Sequence, residues 1–403
     1  MDRYKSFFRG IAYAGYCIVF LFAVYTFEKS IPDQIYVKAG EAIDYQFQVP
    51  VTMEIQEDSS PVAKSTNNAN VRQSYIVTCR LFGIFPVKDI EVVLVDGDAV
   101  YAGGMPIGIY VKTSGVLVIG TSEVERPDGS EAAPAENILK AGDYILSVNG
   151  EKVAEKEDLQ RLVQQNGAEK EILKINRKGE EVEVGVTPVQ NKNGTYMLGA
   201  WVRDDLAGIG TLTYYKEDGT YGALGHAVSD GDVGERIQMR EGYVYNAQII
   251  GVKKGQKGNP GELSGMIRYQ SADCLGTIEE NTDIGIYGKL DGNIAALPRG
   301  DYYNICYKQD IKQGPATIIC GFTGEKKEYA IEIESLDYSG REANKGILLR
   351  VTDEQLLDMT GGIVQGMSGS PILQDGKIIG AVTHVFVSDS SMGYGIFIEN
   401  MVE

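Results

Sequence analysis

A glycine- and serine-rich turn near the C-terminus, Gly366-Met367-Ser368-Gly369-Ser370-Pro371, carries residue types that can do chemistry. A serine hydroxyl becomes a nucleophile when a neighbouring base takes its proton. Flanking glycines let the backbone turn tightly, so that the N–H groups of Gly366 and Ser368 can point together at a developing oxyanion. Proline pushes the residue before it toward extended backbone, which suits Ser370 to a strand start. We therefore predict that Ser368 is the nucleophile; the alternative is a turn that only joins two strands.

The chain has two histidines that could serve as the general base. His226 follows Gly225 in a run of small residues at a predicted strand end, where a side chain can be aimed into a site. His384 lies inside the apolar strand Val382–Val387, where a histidine more often lines a cleft or packs structurally. We predict that His226 is the base, and its position before the serine is the order found in chymotrypsin-like chains.

A third group is needed to hold the histidine in the tautomer that accepts the serine proton. Four aspartates could supply it: Asp230, Asp232, Asp353 and Asp358. Composition does not choose among these four carboxylates, so the residues alone leave the acid unassigned.

The composition excludes several classes of function. Lys and Arg total 38 against 56 Asp and Glu, a net charge of −18, whereas a nucleic-acid-binding surface needs a basic face. Two histidines without a CxxC or HExxH motif argue against a zinc site, and we expect no metal and no cofactor. The scattered cysteines are predicted to be reduced, with a single bridge among the last three left open. They are Cys17, Cys79, Cys274, Cys306 and Cys320.

The N-terminus has the pattern of a membrane anchor. Three basic side chains lie within residues 1–9, and Gly10–Phe27 then runs for 18 residues without a charge. This length is at the short end of what spans a bilayer. The positive flank stays in the cytoplasm, so we predict a cytoplasmic tip and transmembrane helix over residues 1–28, with the remaining chain outside. The alternative is a cleaved signal peptide, but no A-x-A pattern follows Phe27.

Alternating apolar and polar residues predict a small β region over residues 29–100. Within it, residues 57–72 are polar and unpatterned and predict an exposed loop, the kind of segment where proteolysis concentrates.

Residues 101–190 contain the pattern L-x-x-GD-x-I-x-x-VNG, from Leu139 to Gly150, followed by an amphipathic helix. This stretch resembles a PDZ domain, a family that binds an extended peptide as an added strand beside a sheet edge. The matching groove would be formed by the 157–166 helix and one strand. That strand comprises Ile107, Gly108, Ile109, Tyr110 and Val111. The alternative is a rigid spacer domain.

Residues 191–403 consist of short predicted strands separated by glycine turns, which is typical of an all-β barrel domain. The segments GALGHA, AGIGTLTYY, GGIVQGMSGSPI and IGAVTHVFV together resemble the SpoIVB peptidase family of endospore-forming bacteria. The resemblance extends over the anchor, the PDZ domain and the peptidase domain. We therefore expect a mainly β chain that ends in a chymotrypsin-like double β-barrel peptidase domain.

The resemblance implies a serine endopeptidase that is made in the forespore and secreted into the space between the forespore and mother-cell membranes. It implies cleavage of a membrane-bound regulator of pro-sigma-K processing, and self-cleavage that releases the enzyme from its anchor. Carried over by motif, the triad is Ser368, His226 and Asp353. Two alternatives stay open, a non-catalytic PDZ scaffold and an HtrA-like quality-control protease, although the latter places its protease before its PDZ domain.

Overall fold

The computed structural model describes residues 31, 33–38, 51–55, 62–64, 72–95, 99–291 and 301–402. The predicted anchor, residues 1–28, lies outside the described residues, as does most of the predicted loop 57–72. Across the described ranges, no helix has the length and apolar character needed to cross a bilayer. The described chain is mainly β.

The first strands form a separate five-stranded sheet in the order β1-β5-β4-β2, with β3 paired to β4. They are β1 (Gln34–Lys38), β2 (Val51–Ile55), β3 (Val62–Lys64), β4 (Arg72–Leu81) and β5 (Phe85–Val95). β1 is parallel to β5, with Gln34 opposite Glu91. β3 lies inside the segment predicted as a loop, where Val62 pairs with Ser74. The sheet buries a small core of its own around Ile35 and Ile90.

The next elements span the PDZ region. They are β6 (Ala99–Ala102), β7 (Pro106–Thr121), β8 (Val124–Glu125), β9 (Glu131–Ala132), β10 (Tyr144–Val148), β11 (Glu151–Lys152), α1 (Lys156–Asn166), β12 (Glu171–Arg177), β13 (Glu180–Val186), β14 (Val189–Gln190) and β15 (Tyr196–Met197). The helix α1 buries Leu159, Leu162 and Val163, whose i, i+3, i+4 spacing puts them on one face.

The Gly-Asp pair of the PDZ-like pattern has a structural role. Gly142 turns the backbone with a φ of +92°, a conformation that favours glycine. The buried carboxylate of Asp143 then accepts two hydrogen bonds from the Arg177 guanidinium, at 2.8 and 2.7 Å. This bidentate pair joins the turn before β10 to the end of β12 and explains the residue types at both positions.

The remaining elements form the C-terminal β region. They are β16 (Ala200–Tyr215), β17 (Thr220–Ala223), β18 (Met239–Lys253), β19 (Glu262–Ile267), β20 (Cys274–Thr282), β21 (Gly285–Leu290), β22 (Tyr302–Ile305), β23 (Gly314–Cys320), β24 (Lys327–Leu336), β25 (Ile347–Val351), α2 (Glu354–Thr360), β26 (Pro371–Gln374), β27 (Lys377–Val385), β28 (Met392–Phe397) and α3 (Glu399–Val402). Short 3₁₀ helices cover Ser271–Asp273, Lys308–Asp310 and Ala343–Lys345.

A long antiparallel ribbon connects the PDZ region to the C-terminal strands. β7 pairs with β16 from Thr121 opposite Ala200 to Pro106 opposite Thr211. One half of β7 packs in the PDZ core, and its other half packs in the core of the C-terminal region. The PDZ unit is therefore inserted at the far end of this ribbon. The predicted division into a PDZ domain over 101–190 and a peptidase domain over 191–403 stays a prediction. Within the first range, β6 and the first half of β7 pair with C-terminal strands.

The predicted peptide-binding strand is corrected by this topology. Residues 107–111, which are Ile107, Gly108, Ile109, Tyr110 and Val111, pair with β16 on one edge and with β18 on the other. A strand bonded on both edges has no free N–H and C=O groups with which to add a peptide strand. In addition, Ile107, Ile109 and Val111 are buried in the C-terminal region's core.

The C-terminal strands contribute to three hydrophobic clusters, and the candidate site lies between two of them. One cluster surrounds Tyr221, Val244 and Ile286. The other surrounds Ile318, Ile347 and Ile372, and comes from the later strands. The strands of β16–β28 together with β6 and β7 form a closed network, which also includes strands of the PDZ region.

The cysteines of the described residues are free thiols. Cys79, Cys306 and Cys320 are buried and Cys274 is partly exposed. The bridge that the sequence left open among the last three is not formed.

Candidate active site

His226 stands just past the end of β17, where the backbone makes a strained turn. Leu224 and Gly225 both have positive φ angles, 72° and 74°. A bulky residue such as leucine seldom adopts this conformation, and strain of this kind concentrates at functional sites. A Cβ on Gly225 would lie only 2.7 Å from the Thr383 side chain, so the turn packs tightly against β27. His226 follows this turn and lines a cleft that Ser368 also lines.

The His226 ring has a defined hydrogen bond. Its Nδ1 lies 2.8 Å from the carbonyl oxygen of Ala227. A carbonyl only accepts, so Nδ1 carries the proton and Nε2 is left unprotonated in the neutral ring. Burial lowers the pKa of His226, while the bond to Ala227 acts in the opposite direction. At neutral pH the ring is therefore uncharged and able to accept a proton at Nε2.

Ser368 lies across the same cleft, in the turn between α2 and β26. Its hydroxyl donates to the carbonyl oxygen of Thr383 at 2.8 Å. Ser370, by contrast, is completely buried, and its Oγ lies 3.4 Å from Cys320 Sγ. The structure thus brings Ser368 and His226 to one cleft and places Ser370 in the interior.

Thr211 of β16 forms hydrogen bonds with the turn Gly366–Pro371, which we call the serine turn. The N–H of Thr211 donates to the Ser368 carbonyl at 3.0 Å, and its hydroxyl donates to the Gly366 carbonyl at 2.8 Å. A Cβ on Gly369 would lie 2.1 Å from the Thr211 carbonyl and 2.6 Å from the Leu224 nitrogen. Glycine at position 369 therefore lets the serine turn approach the backbone of the histidine turn closely.

The backbone N–H groups around the serine divide into two sets. Those of Met367, Gly369 and Ser370 donate to carbonyl oxygens of the protein. Those of Gly366 and Ser368 donate to no acceptor among the described residues. Gly366 has a φ of +97°, which turns its peptide out of the path of an ordinary strand. Gly366 and Ser368 are the residues whose N–H groups are predicted to form an oxyanion hole, and this assignment stays a prediction.

The cleft holds a second imidazole. The cleft has a volume of about 460 Å³, and His226, Ser368 and His384 are among the residues that line it. The rings of His226 and His384 have centroids 5.3 Å apart. The pKa of His384 is lowered to about 4, chiefly by burial and secondly by the neighbouring His226 ring. Its Nδ1 is buried without a hydrogen-bond partner in the described part of the chain.

The structure does not bring Asp353 to His226. Asp353 is the N-cap of α2, where one carboxylate oxygen accepts from the Leu356 N–H at 3.0 Å and the other from Ala330 N–H at 3.4 Å. Its assignment as the triad acid stays a prediction. In the chain as described, the hydrogen-bond acceptor at His226 Nδ1 is the carbonyl of Ala227.

The other candidate carboxylates also lie away from the histidine ring. Asp230 is buried and forms an ion pair with Arg203, and Asp232 contacts the same guanidinium at 3.1 Å. Asp230 also accepts hydrogen bonds from the N–H groups of Asp232 and Val233, which fixes the turn after His226. Asp358 is exposed on α2.

Comparison with known proteins decides the family. The sequence profile described as SpoIVB peptidase S55 matches residues 194–402, just over half of the chain. The chain belongs to the SpoIVB peptidase S55 family. A PDZ-domain profile matches residues 127–177 of this S55 peptidase, in agreement with the predicted combination of domains. The family makes the chain a serine peptidase.

Two further comparisons add little to this S55 peptidase assignment. No curated protein matches the chain significantly. Among solved structures, the PDZ domain of an SdrC-like protein from Listeria monocytogenes is similar to part of it. That match has 18% identity, covers 22% of this chain and 87% of the other, and has a TM-score of 0.19.

Sequence reasoning missed two threonines that form hydrogen bonds with the Ser368 turn of the candidate site. The Thr211 hydroxyl donates a hydrogen bond to the Gly366 carbonyl, and the Thr383 carbonyl accepts one from the Ser368 hydroxyl. Thr383 is itself held by a hydrogen bond from its hydroxyl to the Asn344 carbonyl at 2.6 Å. Each lies in a segment that the family resemblance had already singled out, but a buried threonine in a strand has no local pattern that marks it.

A groove that includes Gly366 runs between two strand edges. Ala207, Gly208 and Ile209 of β16 line one side, and the 262–265 stretch of β19 lines the other, with Gly366 at one end. β16 pairs with β7 on its far edge, and β19 pairs with β18 on its far edge. At one end of the groove the Leu263 N–H already donates to the Gln365 carbonyl at 2.9 Å. Beyond that bond, the facing edges can accept an extended peptide strand.

Proposed function

We propose that this S55 peptidase is a serine endopeptidase in which Ser368 is the nucleophile and His226 the general base. The observation that carries the proposal is the convergence in one cleft of the Ser368 hydroxyl, the His226 ring and two N–H groups without a protein acceptor among the described residues. These are the three parts that acyl transfer from a peptide requires.

The proposed reaction begins when the Ser368 hydroxyl leaves the Thr383 carbonyl and turns toward His226. Its proton passes to Nε2 while Oγ forms a bond to the substrate carbonyl carbon, and the resulting oxyanion binds the N–H groups of Gly366 and Ser368. The imidazolium then protonates the leaving amine as the C–N bond breaks. Water, activated by the same ring, hydrolyses the acyl-enzyme. Throughout the reaction, the Ala227 carbonyl accepts the hydrogen bond from the His226 Nδ1–H group.

The proposed substrate is an extended segment of protein. The groove beside Gly366 has two facing strand edges, and a peptide bound between them would place its carbonyl at the oxyanion hole. Family membership supports a role in endospore formation, and we propose that the substrates are a membrane-bound regulator of pro-sigma-K processing and the enzyme itself. The proposed location is the forespore membrane, with residues 1–28 as the anchor and the remaining chain facing the intermembrane space.

The nucleophile is tested with a fluorophosphonate probe on the full chain, with the modified residue mapped by mass spectrometry. We expect labelling of Ser368, and Ser368→Ala should lose at least ~10³-fold in peptide cleavage. Ser370→Ala is the matched control, because it removes a hydroxyl two residues away that faces Cys320 in the interior. Labelling of another residue, or equal losses in the two variants, would refute the assignment.

Self-cleavage is tested by following the length of the membrane-bound chain over time. We expect wild type to be shortened by cleavage in or near residues 57–72, and Ser368→Ala to stay full length. Shortening of both at the same rate would show that a different protease is responsible.

A further inference from the structure

Three large apolar side chains are exposed at the turn between β4 and β5. Phe82, Ile84 and Phe85 are 63, 67 and 58% exposed, and they lie together at the tip of one hairpin. Large apolar side chains grouped in this way on a soluble surface mark an interaction site more often than scattered single residues do. We call these three residues the apolar tip.

The backbone of the apolar tip is not what a turn alone would select. Phe82 has a φ of +54° and Gly83 a φ of +73°. Glycine, asparagine and aspartate adopt this conformation readily, whereas a phenylalanine there is strained. An exposed aromatic side chain at an unfavourable turn position indicates a role outside the hairpin, since neither the turn nor the core gains from it.

The parallel strand β1 relates the apolar tip to the N-terminal segment. β1 runs in the same direction as β5, with Gln34 opposite Glu91. Earlier residues therefore lie nearer the tip, and the Lys88 ammonium accordingly contacts the Ile31 carbonyl at 2.6 Å and Asp33 at 2.7 Å. Lys88 is three residues, about 10 Å, from Phe85 along the strand. The chain thus enters the sheet from the end at which the tip lies.

The uncharged run Gly10–Phe27 ends four residues before Ile31. Four residues span at most ~14 Å when extended. A bilayer that holds this run would therefore have its surface within reach of the apolar tip. Charged groups follow directly behind the tip: Arg80 pairs with Glu54 at 2.6 Å, and Lys88 pairs with Asp33. An apolar end backed by paired charges suits the boundary between acyl chains and headgroups.

We propose that Phe82, Ile84 and Phe85 insert into the interfacial layer of the bilayer that anchors residues 1–28. The proposal rests on the proposed anchor for the position of the membrane. It gives the N-terminal sheet a second attachment, which fixes its orientation on the membrane surface. A single helix followed by a short connection would leave that orientation free.

The single tryptophan of the chain, Trp201, makes a site-specific test possible. In a Trp201→Phe background, Ile84→Trp puts the only tryptophan at the tip, and the full chain is reconstituted in phosphatidylcholine vesicles. We expect blue-shifted emission, quenching by brominated acyl chains and protection from aqueous iodide. The matched control is Met266→Trp in the same background, at another exposed apolar position in β19. It should be quenched by iodide and not by brominated lipid.

Flotation of the same vesicles separates this proposal from the anchor. In one outcome, the Ile84→Trp chain floats with the vesicles while its indole stays open to iodide and unquenched by brominated lipid. This result retains the anchor and overturns insertion of the tip. Chain that does not float overturns both. Equal lipid quenching at positions 84 and 266 would show nonspecific adsorption. A blue shift at position 84 that grows with protein concentration and needs no lipid would identify a second copy of the chain as the occupant; both outcomes reject the proposal.

Discussion

The imidazole rings of His226 and His384 lie side by side in the cleft, with centroids 5.3 Å apart and planes inclined by 42°. Two imidazolium ions at this separation would repel each other, and burial disfavours the charge on either ring. The pair is therefore neutral at pH 7. His226 keeps its Nε2 free to take a proton, and the neutral His384 beside it adds no positive charge that would oppose this protonation.

The pH dependence of activity follows from the lowered pKa of His226. A base must be unprotonated, so kcat/KM falls when the pH drops through the pKa of the free enzyme's histidine. Because burial lowers that pKa from 6.5, we expect the acid limb of the kcat/KM profile to lie below pH 6.5. Thermal unfolding of Ser368→Ala over the same range checks that the fold persists. An acid limb above pH 6.5 would contradict the proposed environment of the ring.

The proposed oxyanion hole is tested at Gly366. Its φ of +97° makes any side chain strained, and a Cβ would lie 3.0 Å from Leu263 Cβ. Gly366→Ala should shift this peptide, and loss of one donor lowers kcat by about 10²–10³-fold. Gly376→Ala is the matched control, with a φ of +72° in a hairpin turn open to solvent. It should be strained similarly, with kcat unchanged. Equal kcat values for the two variants would argue against the oxyanion role.

The role of Asp353 is separated by two substitutions. Asp353→Ala removes the N-cap of α2 and should lower the free energy of unfolding by about 1 kcal/mol, whereas Asp353→Asn keeps a good cap and should lower it much less. Denaturant unfolding measures both. The activity of the stable Asn variant then reports on catalysis. A loss near 10⁴-fold would indicate that the carboxylate reaches His226 during the reaction, whereas retained activity would limit Asp353 to capping.

The groove between β16 and β19 is tested at Gly265. A Cβ at this position would lie 2.7 Å from the Ile209 side chain across the groove. Gly265→Val should therefore narrow the groove and raise KM for a long peptide more than it lowers kcat. Gly251→Val on the neighbouring strand is the control, because its nearest neighbour would be Ser264 Cβ at 3.8 Å. A KM that does not change in Gly265→Val would place the substrate elsewhere.

The predictable parts of this protein were those determined by nearby residues. Local features include the serine turn with its proline and the glycine before His226. The chemistry of each can be inferred from a few neighbouring residues. The PDZ pattern was recognisable for the same reason, since Gly142 and Asp143 form a local turn.

The parts that could not be predicted depend on distant pairing. Ile107–Val111 alternate like any strand next to a PDZ pattern, and only strands β16 and β18, about a hundred or more residues later, determine that both edges are occupied. Likewise, an aspartate before a short helix can cap it or face a histidine, and the local sequence at Asp353 is compatible with either.

The insertion of the PDZ unit into one ribbon has a consequence for folding. Tyr110 and Asp205 are 95 residues apart in sequence, yet the tyrosine hydroxyl meets the carboxylate at 3.0 Å. Closing a flexible loop of that length has a length-dependent entropic cost of about 4 kcal/mol. A PDZ unit that folds first from its own local contacts brings the two strands together and removes most of that cost. Mutations that unfold the PDZ core should then slow assembly of the peptidase strands, even though none of them touches the catalytic cleft.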